Sequence, residues 1–313
     1  MRILTLLLII PFLLAGCGSS DSESAKHDDS DMMIYTSIYP LQYFAERIGG
    51  DKVSVQSIVP PGSDGHTFEP TTKELIEVAE ADLLIYNGAG FEGFIEKAKE
   101  SLKEQEVKFI NSSAGIEPAG DGEKSENEEH DQKEHHEDHG TEDPHVWLDP
   151  LLAIGVSEMI KDAMVEEQPE LESEFEKNFD QLKKDLLSLH ESFQKVVDEA
   201  EGNTFIVAHS AYGRWEKRYG LEQVSVSGIS PSHEPSQKEV QELIDFARSN
   251  HISHILLERN ISSNITEMIG EEINAEILYL SNLESLTQQQ LDQGEDYLSV
   301  MHTNIETLRK ALN

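Results

Sequence analysis

The chain has 313 residues, which is room for one large domain or two lobes of ordinary size. Its 61 Asp plus Glu against 24 Lys plus Arg give a formal charge of −37, which repels nucleic acid and attracts cations. The single cysteine, Cys17, excludes an intrachain disulfide.

At the start of the chain, Arg2 precedes the apolar run Ile3 to Leu14 and then Ala15-Gly16-Cys17. A cationic start and an apolar run this short read as a signal-peptide core, not a spanning helix. Leu14 to Cys17 resembles the lipobox of bacterial lipoproteins, where the cysteine thiol is acylated and cleavage occurs just before it. The resemblance implies a signal peptide over 1–16 and a lipid anchor, palmitate among its acyl chains, on Cys17. Residues 17–31 are polar and free of aromatics, and are expected to form a flexible tether.

Short β-type runs then alternate with helical patterns. The strand candidates are Met33–Ile38, Lys52–Val59, Asp82–Asn87 and Val107–Ile110, then Thr204–Ala208, Gln223–Val226, His254–Glu258 and Glu276–Leu280. Helical patterns lie at Leu41–Ile48, Lys73–Ala81, Gly93–Lys103, Tyr212–Tyr219, Lys238–Ser249 and Asn264–Glu272. Thr71-x-x-Glu74 and Ser236-x-x-Glu239 are capping-box signatures. Such alternation predicts an α/β fold with two parallel-sheet lobes of four strands each. The expected division is an N-terminal lobe over 32–168, a linker helix over 169–201 and a C-terminal lobe over 202–313. In the linker, Phe175, Phe179, Leu182, Leu186, Leu189, Phe193 and Val196 recur in steps of four and three, one stripe on one helix face. Leu298, Met301, Ile305, Leu308 and Leu312 form a second stripe near the end.

Residues 121–143 stand apart. They hold eleven acidic residues, four histidines and no apolar residue, so no core forms from them and a mobile acidic loop is expected. His130, His135, His136 and His139 among these carboxylates make a metal-collecting composition.

Three further histidines have distinctive settings. His66 lies in the turn-rich segment Pro60 to Pro70, between a strand and a capped helix. His145 lies in the Pro-bounded segment Asp143 to Pro150, and His209 follows a strand. In open α/β sheets, loops at the carboxyl ends of strands line the binding crevice. His27, His190, His233, His251, His254 and His302 read as surface residues.

The motifs Gly62-Ser63-Asp64-Gly65-His66-Thr67-Phe68-Glu69-Pro70, Asp143-Pro144-His145-Val146-Trp147-Leu148-Asp149-Pro150 and Ala208-His209-Ser210-Ala211-Tyr212-Gly213 occur in that order. They are followed by Gly228 to Ser236 and Asn282 to Leu286. From Cys17 to the end, the chain closely resembles the metal-binding lipoproteins of bacterial zinc and manganese ABC uptake systems. The resemblance implies two α/β lobes joined by a long rigid helix, with one metal in the interlobe cleft. It implies His66, His145 and His209 as ligands with a carboxylate near the last strand. That carboxylate is Glu284 by resemblance to zinc-binding Gram-positive members, with Glu258 as the competitor.

Three histidines and one carboxylate suit four-coordinate Zn²⁺. Manganese members typically carry glutamate at the position of His209. The implied role is extracytoplasmic zinc capture at a cell membrane, with delivery to a permease and its ATPase, by a lipid-anchored monomer. The alternatives are a manganese- or iron-binding member of the same fold, or a surface adhesin. An enzyme is not expected. A fourth protein ligand fills the position a zinc hydrolase keeps open, and no His-Glu-x-x-His helix is present.

Overall fold

The structure is a computed structural model that describes residues 32–116, 143–232, 235–259 and 264–313. Cys17, the expected tether, His27, the four histidines of the acidic loop and His233 lie outside the described residues.

The first sheet is built from β1 (Met32–Thr36), β2 (Val53–Ser57), β3 (Leu83–Tyr86) and β4 (Lys108–Asn111), all parallel, in the order β2-β1-β3-β4. The helices α1 (Tyr39–Gly49), α2 (Thr72–Ala79) and α3 (Ile95–Ser101) connect its strands. The second sheet repeats the plan with β5 (Thr204–Val207), β6 (Glu222–Ser225), β7 (His254–Leu257) and β8 (Glu276–Tyr279), in the order β6-β5-β7-β8. Its helices are α6 (Gly213–Tyr219), α7 (Gln237–Ser249) and α8 (Asn264–Ile273). Each sheet is covered on both faces, so its central strands read as short apolar runs such as Leu83, Leu84 and Ile85, all buried.

Between the sheets run α4 (Pro150–Glu167) and α5 (Glu172–Glu199). The seven residues of the expected α5 stripe are the seven it buries. At 28 residues, α5 spans roughly 42 Å. The periodicity does not single out α4. This helix packs against both α1 and α5, so its apolar residues spread over more than one face and no single stripe stands out. The chain closes with the short α9 (Gln288–Asp292) and with α10 (Tyr297–Ala311), which carries the second expected stripe against α5.

One apolar core runs through both halves. It joins Ile34 and Ile85 of the first sheet to Val207 and Leu256 of the second through α1, α4, α5 and α10. Each sheet has a smaller outer core on its far face, around Leu84 and Phe94 in one case and Ile206 and Ile255 in the other. The Thr71 and Ser236 capping boxes form as expected, and Thr287 and Asp296 cap α9 and α10 in the same way. These caps fix where the helices begin, and so how much chain is left for the loops at the carboxyl ends of the strands.

Candidate metal centre

Four loops leaving the carboxyl ends of strands converge between the sheets. β2 runs into the turn that carries His66. There Asp64 accepts hydrogen bonds from the His66 amide and the Thr67 hydroxyl, each at 2.9 Å, which curls the turn. Gly65 is required in this turn because a Cβ would meet the Phe91 ring at 2.8 Å. That ring packs on the His66 imidazole with centroids 4.4 Å apart.

His145 opens a single turn of 3₁₀ helix, Val146–Leu148. Asn87 donates to the Pro144 carbonyl at 2.9 Å, and the Arg214 guanidinium donates to the Asp143 carbonyl at 3.1 and 2.6 Å. The turn is therefore held from both halves of the molecule. His209 lies two residues beyond β5. Glu284 sits in the loop after β8, where Leu283 adopts φ +62°, an uncommon conformation for a non-glycine residue. The Trp147 indole fixes this loop by donating to the Asn282 carbonyl at 2.7 Å.

The facing atoms are close. His66 Nε2 lies 3.2 Å from His145 Nε2 and 3.4 Å from Glu284 Oε1. Glu284 Oε1 lies 3.7 Å from His145 Nε2 and 3.9 Å from His209 Nε2. All four donor atoms fall within 4.8 Å of one another. A tetrahedron with bonds of about 2.0–2.1 Å has edges of roughly 3.3 Å; the shortest separations match that edge and the others are wider, so three nitrogens and one oxygen surround a position for one small divalent cation without yet closing on it. His145, His209 and Glu284 are wholly buried, and the His66 side chain is 8% exposed, which leaves His66 at the mouth.

Glu284 accepts hydrogen bonds from the Gly65 amide at 3.1 Å and from Asn282 Nδ2 at 2.9 Å. Burial alone would raise its pKa. Hydrogen bonds and charge from His145 and His66 outweigh that and hold it well below the usual carboxylate range. Burial likewise disfavours the charged form of His145, but Asp143 and Glu284 together push its pKa up to about 9.

Two carboxylates stand behind the histidines. Asp143 Oδ1 lies 2.7 Å from His145 Nδ1, and Glu258 Oε1 lies 2.6 Å from His209 Nδ1. Glu258, the competing carboxylate in the sequence, thus meets the ring nitrogen that does not face Glu284. Burial pushes the Glu258 carboxyl up, against the pull of His209.

A family model described as "Zinc-uptake complex component A periplasmic" matches residues 34–311. The chain belongs to this family.

Among members of this family, the chain is 33% identical over 301 residues to the "High-affinity zinc uptake system protein ZnuA" of Bacillus subtilis, covering 96% of this chain and 94% of that protein. It is 31% identical over 287 residues to the "Zinc-binding lipoprotein AdcA" of Streptococcus pneumoniae, covering 91% of this chain. This chain spans only 56% of that relative's length. The crystal structure of the Zn(II)-bound ZnuA-like domain of Streptococcus pneumoniae AdcA superposes with a TM-score of 0.75 at 29% identity, covering 90% of this chain and 99% of that one.

The structure brings together the four residues singled out from this family's motifs. Sequence reasoning missed the outer residues. Asp143 lies at the end of an acidic run and reads there as one carboxylate among many. Asn282, together with the Gly65 amide, orients Glu284 by donating to it at 2.9 Å. His190, taken as a surface residue, is half-buried, with Nδ1 3.0 Å from the Tyr219 hydroxyl.

Proposed function

We propose that this chain binds Zn²⁺ outside the cytoplasm through His66, His145, His209 and Glu284, and delivers it to an ABC-type permease and its ATPase. The observation that carries the reading is the cluster of three imidazole nitrogens and one carboxylate oxygen within 4.8 Å. Family membership and zinc-named relatives support it. The donor set favours zinc over manganese, which prefers more oxygen ligands. In this reading the zinc is cargo, and the two lobes, 32–168 and 202–313, close on it across the linker at 169–201. Cys17 carries the acyl anchor that keeps the monomer at the membrane. His130, His135, His136 and His139 act as an accessory metal-collecting loop, and no step requires catalysis.

Metal analysis after dialysis against a zinc-buffered solution tests the site. The parent should retain about one zinc of high affinity, and an H66A/H209A double variant should retain none at that site. Retention by the double variant would end the reading. Metabolic labelling with palmitate tests the anchor, with C17A expected to abolish incorporation. Growth of a deletion strain under zinc limitation tests transport, and normal growth would favour the adhesin alternative.

A further inference from the structure

We infer that Glu258 is the residue that positions His209 for zinc, and that it does so at a cost to the stability of the metal-free protein. The inference rests on the zinc reading above.

Sheet register places Glu258 there. β5 and β7 are adjacent and parallel, with Val207 paired to Leu256. Two residues further along each chain are His209 and Glu258. The register sets the two strand ends side by side, and in the loops that leave them the imidazole meets the carboxylate. The two come from different strand ends, 49 residues apart in the chain. Asp143 and His145, by contrast, meet through a local turn.

The environment of Glu258 is unusual. The residue is 3% exposed, and Oε1 is 2.6 Å from His209 Nδ1. Besides His209, the carboxylate is faced by the Tyr212 hydroxyl and by the like charge of Glu284, so burial and Glu284 both disfavour its charged form. A carboxylate buried on these terms destabilises a fold, whereas an apolar residue of similar volume would not. Such a group persists where function needs it. The function is visible in the geometry. A carboxylate at Nδ1 holds the Nδ1–H tautomer, leaves Nε2 unprotonated toward His66, His145 and Glu284, and makes that nitrogen a better donor to a metal.

The experiment pairs zinc affinity with the melting temperature of the metal-free protein in the parent, E258Q and E258L. Affinity is read by competition with a chromophoric chelator. Gln keeps an acceptor but loses the charge, and Leu loses both. Zinc affinity is expected to fall about tenfold in E258Q and towards a hundredfold in E258L. The metal-free melting temperature should hold steady or rise in both. Cobalt-loaded E258L should show weakened tetrahedral absorption bands.

A purely structural role would lower melting temperature and affinity together, and that result overturns the proposal. Affinities within twofold of the parent overturn it as well. If E258L does not fold, E258Q decides. As a direct check on the parent, the NMR signal of the zinc-loaded His209 Nδ1–H should be strongly downfield and should move upfield in E258Q. If the parent itself binds no zinc, the functional reading fails first. Binding by the parent with unaffected variants removes only the role of Glu258.

Discussion

The Gly65 amide donates to Glu284 Oε2 across 3.1 Å and 219 residues of chain, tying the turn that carries His66 to the loop that carries the carboxylate. Two neighbouring bonds strengthen the tie, since Ser285 Oγ donates to the Ser63 carbonyl at 2.9 Å and the Gly62 amide to the Leu286 carbonyl at 2.9 Å. The two proposed ligands are therefore not independent, and a change on one loop is felt on the other.

Gly65→Ala tests that coupling without touching a ligand. The new Cβ would press on the Phe91 ring at 2.8 Å and on Ile38 at 3.4 Å. The turn must move, and the amide that holds Glu284 moves with it. Overpacking of this kind costs about 1–3 kcal/mol. We expect the metal-free melting temperature to fall and zinc affinity to drop about tenfold. Glu284→Ala should drop affinity at least a hundredfold, because it removes a ligand and leaves two buried donors without an acceptor. Equal affinities for G65A and the parent would show that the loops act separately.

Protonation of His145 should make zinc binding pH-dependent. Its pKa, about 9, lies above the ordinary value of about 6.5. The charged imidazole beside Asp143 and Glu284 therefore stabilises the metal-free protein fully below about pH 6.5, and that contribution is lost as pH rises through about 9. Zinc requires the neutral ring, so binding near pH 7.5 should release about one proton. Affinity should climb with pH up to about 9, instead of levelling off just above the ordinary histidine value. Calorimetry in buffers of different ionisation enthalpy measures the proton count, and a count of zero at pH 7.5 would contradict this assignment.

The shared core predicts how the protein unfolds. Two separate sheets suggest two transitions, but Leu186 of α5 belongs to a core that includes residues of both. Leu186→Ala should cost about 2–5 kcal/mol. We expect urea denaturation of the metal-free protein to stay a single transition, shifted as a whole to lower urea. Two resolved transitions, only one of them displaced, would mean that the halves fold independently.

Much of this architecture is legible in the sequence because it is locally encoded. All eight strands fall within a residue of the expected β-type runs, and α5 shows its stripe because only one of its faces is buried. α4 is hidden because its apolar residues fall on more than one face. In the metal centre, His66, His145 and His209 stand out by their positions at loops after strands, and Glu284 by resemblance to known relatives. The carboxylates behind them do not stand out. Asp143 is masked by the acidic run before it, and the pairing of Glu258 with His209 exists only once the β5–β7 register is known.

Asn282 offers a final test, of metal choice. Its amide donates to Glu284 Oε1 at 2.9 Å while its own Oδ1 accepts from the Glu284 amide at 3.2 Å. Asp at this position would keep the second bond and turn the first into repulsion between two buried carboxylates. Glu284 would be pushed away from its present place, and a second oxygen ligand would stand near the imidazoles. Zinc, content with four ligands, should bind more weakly to Asn282→Asp. Manganese, which favours oxygen, should lose less affinity or gain some. The quantity to measure is the ratio of zinc to manganese affinity by competition, expected to fall about tenfold or more. A ratio equal to that of the parent would mean that Asn282 serves the loop backbone alone and has no part in selecting the metal.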